Sequence, residues 1–209
     1  MRNLMFIILI AGLAGCVQTS NTTDDPSLPT DTLGGTKTIV IEKSDSVLIL
    51  EKSEAIINVL KEKRFLRLVP FIHPEKGLRF SPYATVDTAD IVVKPRDISG
   101  LSTKEVRRWG VFDGSGESMD LTFEDYHQKF IYDYDFADAD SIFYNLERQH
   151  GNSINNIREI YPDAKTVEFY VSGKEGEYTG FDWRALRLIF EKSGEIWYLS
   201  GIVHSEWTI

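Results

Sequence analysis

Residues 165–209, KTVEFYVSGKEGEYTGFDWRALRLIFEKSGEIWYLSGIVHSEWTI, decide the fold class. Val167, Phe169 and Val171 alternate with polar neighbours, the period of two that a strand with one buried face produces. KEGEYTG supplies a turn, RALRLIFE a second strand, KSGE another turn and IWYLSGIVHSEWTI a third strand, so the stretch predicts an antiparallel meander. In the last strand the odd positions Trp197, Leu199, Gly201, Val203, Trp207 and Ile209 form the heavier apolar register. The even ones, among them Tyr198, Ser200, His204, Glu206 and Thr208, predict a wetter face.

Upstream the period lengthens. Val47 to Leu50 reads as the start of a helix whose apolar face carries Ile56, Val59 and Leu60; Phe65, Leu68, Val69 and Ile72 repeat at i, i+3, i+4 and i+7 and predict a second helix or the continuation of the first past a bend, broken or kinked near Pro70 and Pro74. Thr38 to Ile41 is a weak strand, and LRFSPYATV (78–86) is a strand that Pro82 marks as an edge or bulge. Asp87 to Thr103 reads as an extended strand followed by a loop. RRWGVF-DGSG-ESMDLT (107–122) is a strand, a tight turn and a strand. Thr122 then caps the helix FEDYHQKFIYDY with Asp125 as its capping-box partner, turning Phe123, Phe130 and Tyr134 inward. Asp138 to Gln149 predicts a further helical stretch, and Ile154, Ile157 and Ile160 a turn or two before Pro162. Helices followed by a long antiparallel sheet make an α+β domain over residues 38–209, with N-terminal helices packed on one side of a curved, mainly antiparallel sheet.

With 23 Lys+Arg against 32 Asp+Glu the net charge is −9, which removes the basic surface that nucleic-acid binding needs. A hydrophobic content of 42% argues against wholesale disorder, and a single Cys excludes an intrachain disulfide and any multi-cysteine metal site. MRNLMFIILIAGLAGC opens on Arg2, runs apolar from Leu4 to Ala14 and ends in small residues, the layout of a secretory signal peptide over residues 1–15. A bilayer-spanning helix needs about 20 apolar residues, more than this run has. Val17 to Lys37 is rich in Thr, Ser, Asp, Pro and Gly with few aliphatic residues, so residues 16–37 read as a solvated tether starting at Cys16.

Leu13-Ala14-Gly15-Cys16 resembles the lipobox of bacterial lipoproteins at every position. The resemblance implies diacylglycerol transfer to the Cys16 thiol, cleavage before it, acylation of the new amino group, and an extracytoplasmic protein whose membrane partner is reached through lipid. Val17 in place of Asp points to the outer membrane where the source is diderm. The stretch from Ser53 to Ser81, ending in FIHPEKGLRFS, and the closing segment from Asp182 onward resemble the opening helices and closing hairpin of the nuclear transport factor 2-like, or cystatin-like roll, superfamily. HPEKGLRFSPY, WGVFDGSGE and VHSEWTI are also similar to a group of bacterial lipoproteins without an assigned activity. The superfamily spans isomerases, dehydratases and binding modules, so the fold by itself does not give function.

Asp113, Ser115, Glu117 and Glu124 fall at positions 1, 3, 5 and 12 of a calcium loop, but position 6 is Ser118 where Gly is needed, and a hairpin turn leading to a capped helix accounts for the glycines. Asp133, Asp135, Asp138 and Asp140 read as a solvated helix end. His73, His127, His150 and His204 include no i, i+4 pair, so neither a metal nor any other cofactor is implied. His204, with Glu206 on its face, has the acid–base chemistry an active site would use. Isomerases of the resembled superfamily use an Asp base with a Tyr and an acid; Asp182, Tyr83, Tyr126 and Tyr170 supply those types without matching a motif position, and Tyr83, Tyr126, Asp182 and His204 make up the candidate pocket. No Ser nucleophile motif, P-loop or dinucleotide fingerprint occurs. Two functions follow: a noncatalytic envelope module binding a protein, peptide or small ligand, or a small-molecule enzyme using the pocket of the roll. A deep pocket with convergent polar groups favours the enzyme; a filled interior favours the module.

Overall fold

The computed structural model describes residues 43–102, 104–151, 154–173 and 180–207. Residues 42–209 form one compact unit, separate from residues 1–41. The expected signal peptide, Cys16, the tether, the weak strand at Thr38 to Ile41 and nearly all of the KEGEYTG turn lie outside the described residues. No helix among the described residues is long and apolar enough to cross a membrane.

Helix α1 (Asp45–Lys61) begins where the pattern places it and buries Ile49, Ser53, Ile56, Ile57 and Leu60, the Ser53 hydroxyl donating back to the Ile49 carbonyl at 2.8 Å. The expected second helix is a 3₁₀ helix, Phe65–Phe71, because Pro70 has no N–H to give and its ring excludes a full α turn. Then come β1 (Leu78–Ser81), β2 (Val92–Val93), a 3₁₀ helix (Pro95–Ser102), β3 (Arg107–Val111), β4 (Ser118–Leu121) and α2 (Phe123–Phe130). A 3₁₀ turn (Phe136–Asp138), β5 (Ser141–Tyr144), α3 (Ile157–Ile160), β6 (Lys165–Val171), β7 (Arg184–Ser193) and β8 (Ile196–Glu206) complete the order.

Six strands form one sheet in the order β2-β1-β8-β7-β6-β5, antiparallel except where β1 runs parallel to β8; β3 and β4 pair separately. Three expectations change here. β1 lies inside the sheet, so Pro82 ends the strand rather than marking an edge. The long strand expected after Asp87 shrinks to Val92–Val93 before the chain coils into 3₁₀ turns. Ser141–Tyr144 is a strand and not a helix, because β6 offers it a ladder from Ser141↔Tyr170 to Tyr144↔Val167.

The β3–β4 turn is the hairpin that the glycines announce. Gly114 and Gly116 have φ of +79° and +68°, and the Asp113 carboxylate accepts from the Gly114 N–H at 3.0 Å, so this side chain turns back on its own loop. Thr122 caps α2, accepting from the Asp125 N–H at 3.2 Å, and Phe123 and Phe130 are buried as expected while Tyr134 is exposed.

Between Ile189 and Phe190 the β7–β8 ladder shifts: Ile189 pairs with Gly201, whereas Phe190 pairs with Leu199. The extra residue on β8 reverses its alternation. Trp197 and Leu199 before the shift, and Ile202 after it, join Leu186, Leu188 and Phe190 in the main core beneath α1 and α2. Val203 instead joins Ile189, Val86, Ile157, Tyr161 and Ala164 in a smaller cluster. The expected wet register of the last strand is therefore overturned, and His204 is fully buried, directly opposite the core residue Leu186.

Candidate functional site

The ring of Phe130 occupies the centre of the expected pocket. Tyr83, Tyr126 and His204 all pack on it, at centroid distances of 5.6, 5.3 and 5.8 Å. Tyr126 is fully buried and stacks on Trp109 at 4.0 Å, and Phe80 meets both rings edge-on. Burial drives the Tyr126 hydroxyl well above its ordinary pKa, and the group has no hydrogen-bond partner among the described residues. Tyr83 is half-buried, and its hydroxyl accepts from the Asp113 N–H at 3.0 Å, tying β1 to the β3–β4 turn. Asp182 lies in the loop before β7, where a side chain at Gly173 would meet its carboxylate, and it lines neither cleft described below. Sequence reasoning thus brings together three of its four pocket residues, around a filled space.

His204 acts as a clamp. Its Nδ1 faces the Pro82 carbonyl at 3.2 Å, and its Nε2 comes within 3.2 Å of Asp133 Oδ1, an ion-pair distance off the hydrogen-bonding direction. Arg184 Nε donates to Asp133 Oδ2 at 2.7 Å and its Nη2 lies 3.2 Å from Glu206. Burial by itself would raise the Asp133 pKa, but the neighbouring His204 imidazole, with the charge and hydrogen bond of Arg184, holds it below the usual carboxylate value. Asp133 is therefore mostly buried and paired, contrary to the solvated helix end expected for it. An open cleft of about 370 Å³ beside it is lined by Asp125, Gln128, Lys129, Asp133, Arg184 and Glu206, without His204. Among the described residues no group of three or more His, Cys, Asp or Glu is arranged to hold a metal ion.

On the opposite face of the sheet stands a polar cluster whose central pair, Glu168 and Arg187, the sequence reading did not single out. Glu168 of β6 and Arg187 of β7 are directly opposed and ion-paired through Oε2 and Nη2. His150 Nε2 lies 2.9 Å from Glu168 Oε1, with its ring stacked on Tyr170 at 4.6 Å. Burial would raise the Glu168 pKa, yet the bond from His150 and the charge of Arg187 keep it below the usual range, so the carboxylate is ionised at neutral pH. The Arg148 guanidinium lies 3.8 Å over the Phe143 ring and its Nε is 3.9 Å from Glu168. Of these groups Arg148 and Arg187 line a cleft of about 350 Å³, together with Arg158, Asn155, Glu159 and Thr166. The available signal was one charge in the middle of each apolar strand, Glu168 in TVEFYV and Arg187 in ALRLIF, on the side opposite Phe169 and Leu186.

No family model matches the chain, and no curated protein is significantly similar to it.

Proposed function

We propose that the mature protein is a noncatalytic binding module of a bacterial cell envelope, anchored to the membrane by lipid on Cys16 and built as a nuclear transport factor 2-like roll. The observation that carries the noncatalytic reading is the filled interior. Where an enzyme of this type would hold its substrate, Phe130 packs against Tyr83, Tyr126 and His204, and the acid–base residue His204 is fully buried and contributes to neither cleft. The opening helical segments and the long β7–β8 hairpin at the centre of the sheet support the roll reading. The LAGC box supports the anchor, since several acyl chains at about 0.8 kcal/mol per buried methylene hold a domain far more firmly than one.

Both parts are testable in cells. Fatty-acid labelling is expected to mark the wild type and not Cys16→Ala, which should leave the membrane fraction; label persisting in the variant overturns the anchor. Tyr126→Phe removes the one titratable atom of that side chain without emptying the interior, and it should leave the cellular role intact. Loss of that role in a variant that folds normally would favour the enzyme.

A further inference from the structure

We propose that the cleft on the outer face of the sheet, with Arg187 in its floor and Arg148 at its side, binds a small ligand through a carboxylate group. The inference rests on the binding-module reading only in that the ligand is held and not transformed.

Arg187 carries the argument. Its side chain is 3% exposed, yet it lines the cleft. Nη2 serves Glu168 and, at 3.3 Å, the Arg148 carbonyl, while Nε and Nη1 have no hydrogen-bond partner among the described residues. A buried donor left without an acceptor is costly, and more so on a charged group. Pairing with Glu168 does not account for this arrangement, because buried ion pairs are on balance poor stabilisers compared with apolar side chains. A ligand group that only accepts hydrogen bonds and carries negative charge answers both the orphaned donors and the cation.

Arg148 supplies the second guanidinium. It is 35% exposed on its side chain, and its position over the Phe143 ring fixes its plane while leaving its edges for hydrogen bonds. The wall that carries it is braced: Asn155 Nδ2 donates to the Arg148 carbonyl at 3.2 Å, and Asn156 exchanges two hydrogen bonds with the backbone of Val86 at 2.8 and 3.0 Å. Arg158, by contrast, is committed to Glu147 at 2.8 Å, the Ala164 carbonyl at 2.8 Å and Asn145 at 2.9 Å, and has little left for a ligand.

Charge balance selects the anion. Glu168 pairs with Arg187 and Glu147 with Arg158, which leaves the Arg148 guanidinium, 3.9 Å from Glu168, and the Glu159 carboxylate, with no ion-pair partner among the described residues, so that the three arginines and three glutamates cancel. A site without net charge opposes a phosphate dianion and suits a monocarboxylate on the Arg148 and Arg187 side, best one whose ammonium group faces Glu159. At about 350 Å³ the cleft sits at the lower end of small-molecule sites.

The test is calorimetric titration of the purified full chain at low salt with acetate, glycine, L-alanine, L-glutamate and inorganic phosphate. At least one carboxylate is expected to bind, and Arg148→Gln to weaken it about tenfold or more, the loss of one charge-assisted hydrogen bond. Because Arg187→Gln alone leaves Glu168 buried and unpaired, the second variant is E168Q/R187Q, which removes both charges together and should abolish binding with the circular dichroism unchanged. If that variant does not fold, Arg148→Gln decides. No carboxylate binding, binding indifferent to Arg148→Gln, or phosphate binding tenfold tighter than every carboxylate overturns the site. A probe recovered unchanged keeps the module reading; a probe bound and converted sinks that reading and leaves the site standing.

Discussion

Glu168 and Arg187 face each other across the β6–β7 ladder with 1% and 3% of their side chains exposed, the most deeply buried ion pair between fully charged side chains among the described residues. Removing one partner strands the other charge in the sheet. Glu168→Gln and Arg187→Gln are each expected to cost about 3 to 5 kcal/mol, whereas E168Q/R187Q should cost much less than their sum. Urea denaturation of the four proteins closes the cycle, and additive losses would show the pair to be uncoupled.

His127 sets a pH limit on stability. It is 2% exposed, its Nε2 bonds the Leu60 carbonyl at 3.0 Å, and Nδ1 has no partner, so protonation would bury an N–H with no acceptor. Burial lowers its pKa from 6.5 to about 4, with Lys63 adding to the shift and the Leu60 bond opposing it. Between those values the unfolded chain binds a proton that the folded one refuses, so stability is complete above pH 6.5 and falls as pH drops toward 4. The loss amounts to about 3 kcal/mol. His127→Gln, which can still donate to Leu60, should flatten the denaturation midpoint in that window; an unchanged slope would point to other groups.

Tyr126 and Trp109 separate packing from polarity at one stack. The Tyr126 hydroxyl is buried without a partner, so Tyr126→Phe should be neutral or stabilising by about 1 kcal/mol. Trp109 is 1% exposed and its Nε1 donates to the Leu121 carbonyl at 3.0 Å. Trp109→Ala should cost about 3 to 5 kcal/mol in thermal or urea unfolding. A large loss from Tyr126→Phe would reveal a hydrogen bond that the hydroxyl makes.

The meander was legible because Val167, Phe169 and Val171 report one buried face, and the start of α1 because its apolar residues recur at helical spacing. Ser141–Tyr144 was not, since four residues are too few for a period and the strand exists only through its pairing with β6, which begins 21 positions beyond Tyr144. The burial of His204 was hidden for a different reason: alternation along β8 is continuous in sequence, and only the shift opposite Ile189 and Phe190 reverses it. The arginine cleft escaped because Glu168 and Arg187 are 19 residues apart, and neither charge is informative until the register puts them opposite each other.

His204 and Asp133 carry the last expectation, which separates architecture from ligand binding. Asp133 joins the end of α2 to β7 through Arg184 and to β8 through His204, and its pKa is held below 3.8 despite burial. A carboxylate with a depressed folded pKa contributes stability that is present above its ordinary value and lost as pH falls through the folded one. Asp133→Asn should therefore destabilise the protein by about 1 to 3 kcal/mol at pH 7 and remove part of the acid limb below pH 4. His204→Gln keeps a donor for the Pro82 carbonyl and loses the imidazole nitrogen 3.2 Å from Asp133, so it should lower stability by a similar or smaller amount. Neither residue lines the cleft around Arg187, so both variants should bind a carboxylate there with wild-type affinity at a temperature where they are folded. Titration beside urea denaturation reads the two quantities separately. An affinity that drops with His204→Gln while the fold holds would couple the two faces of the sheet and return His204 to the functional site.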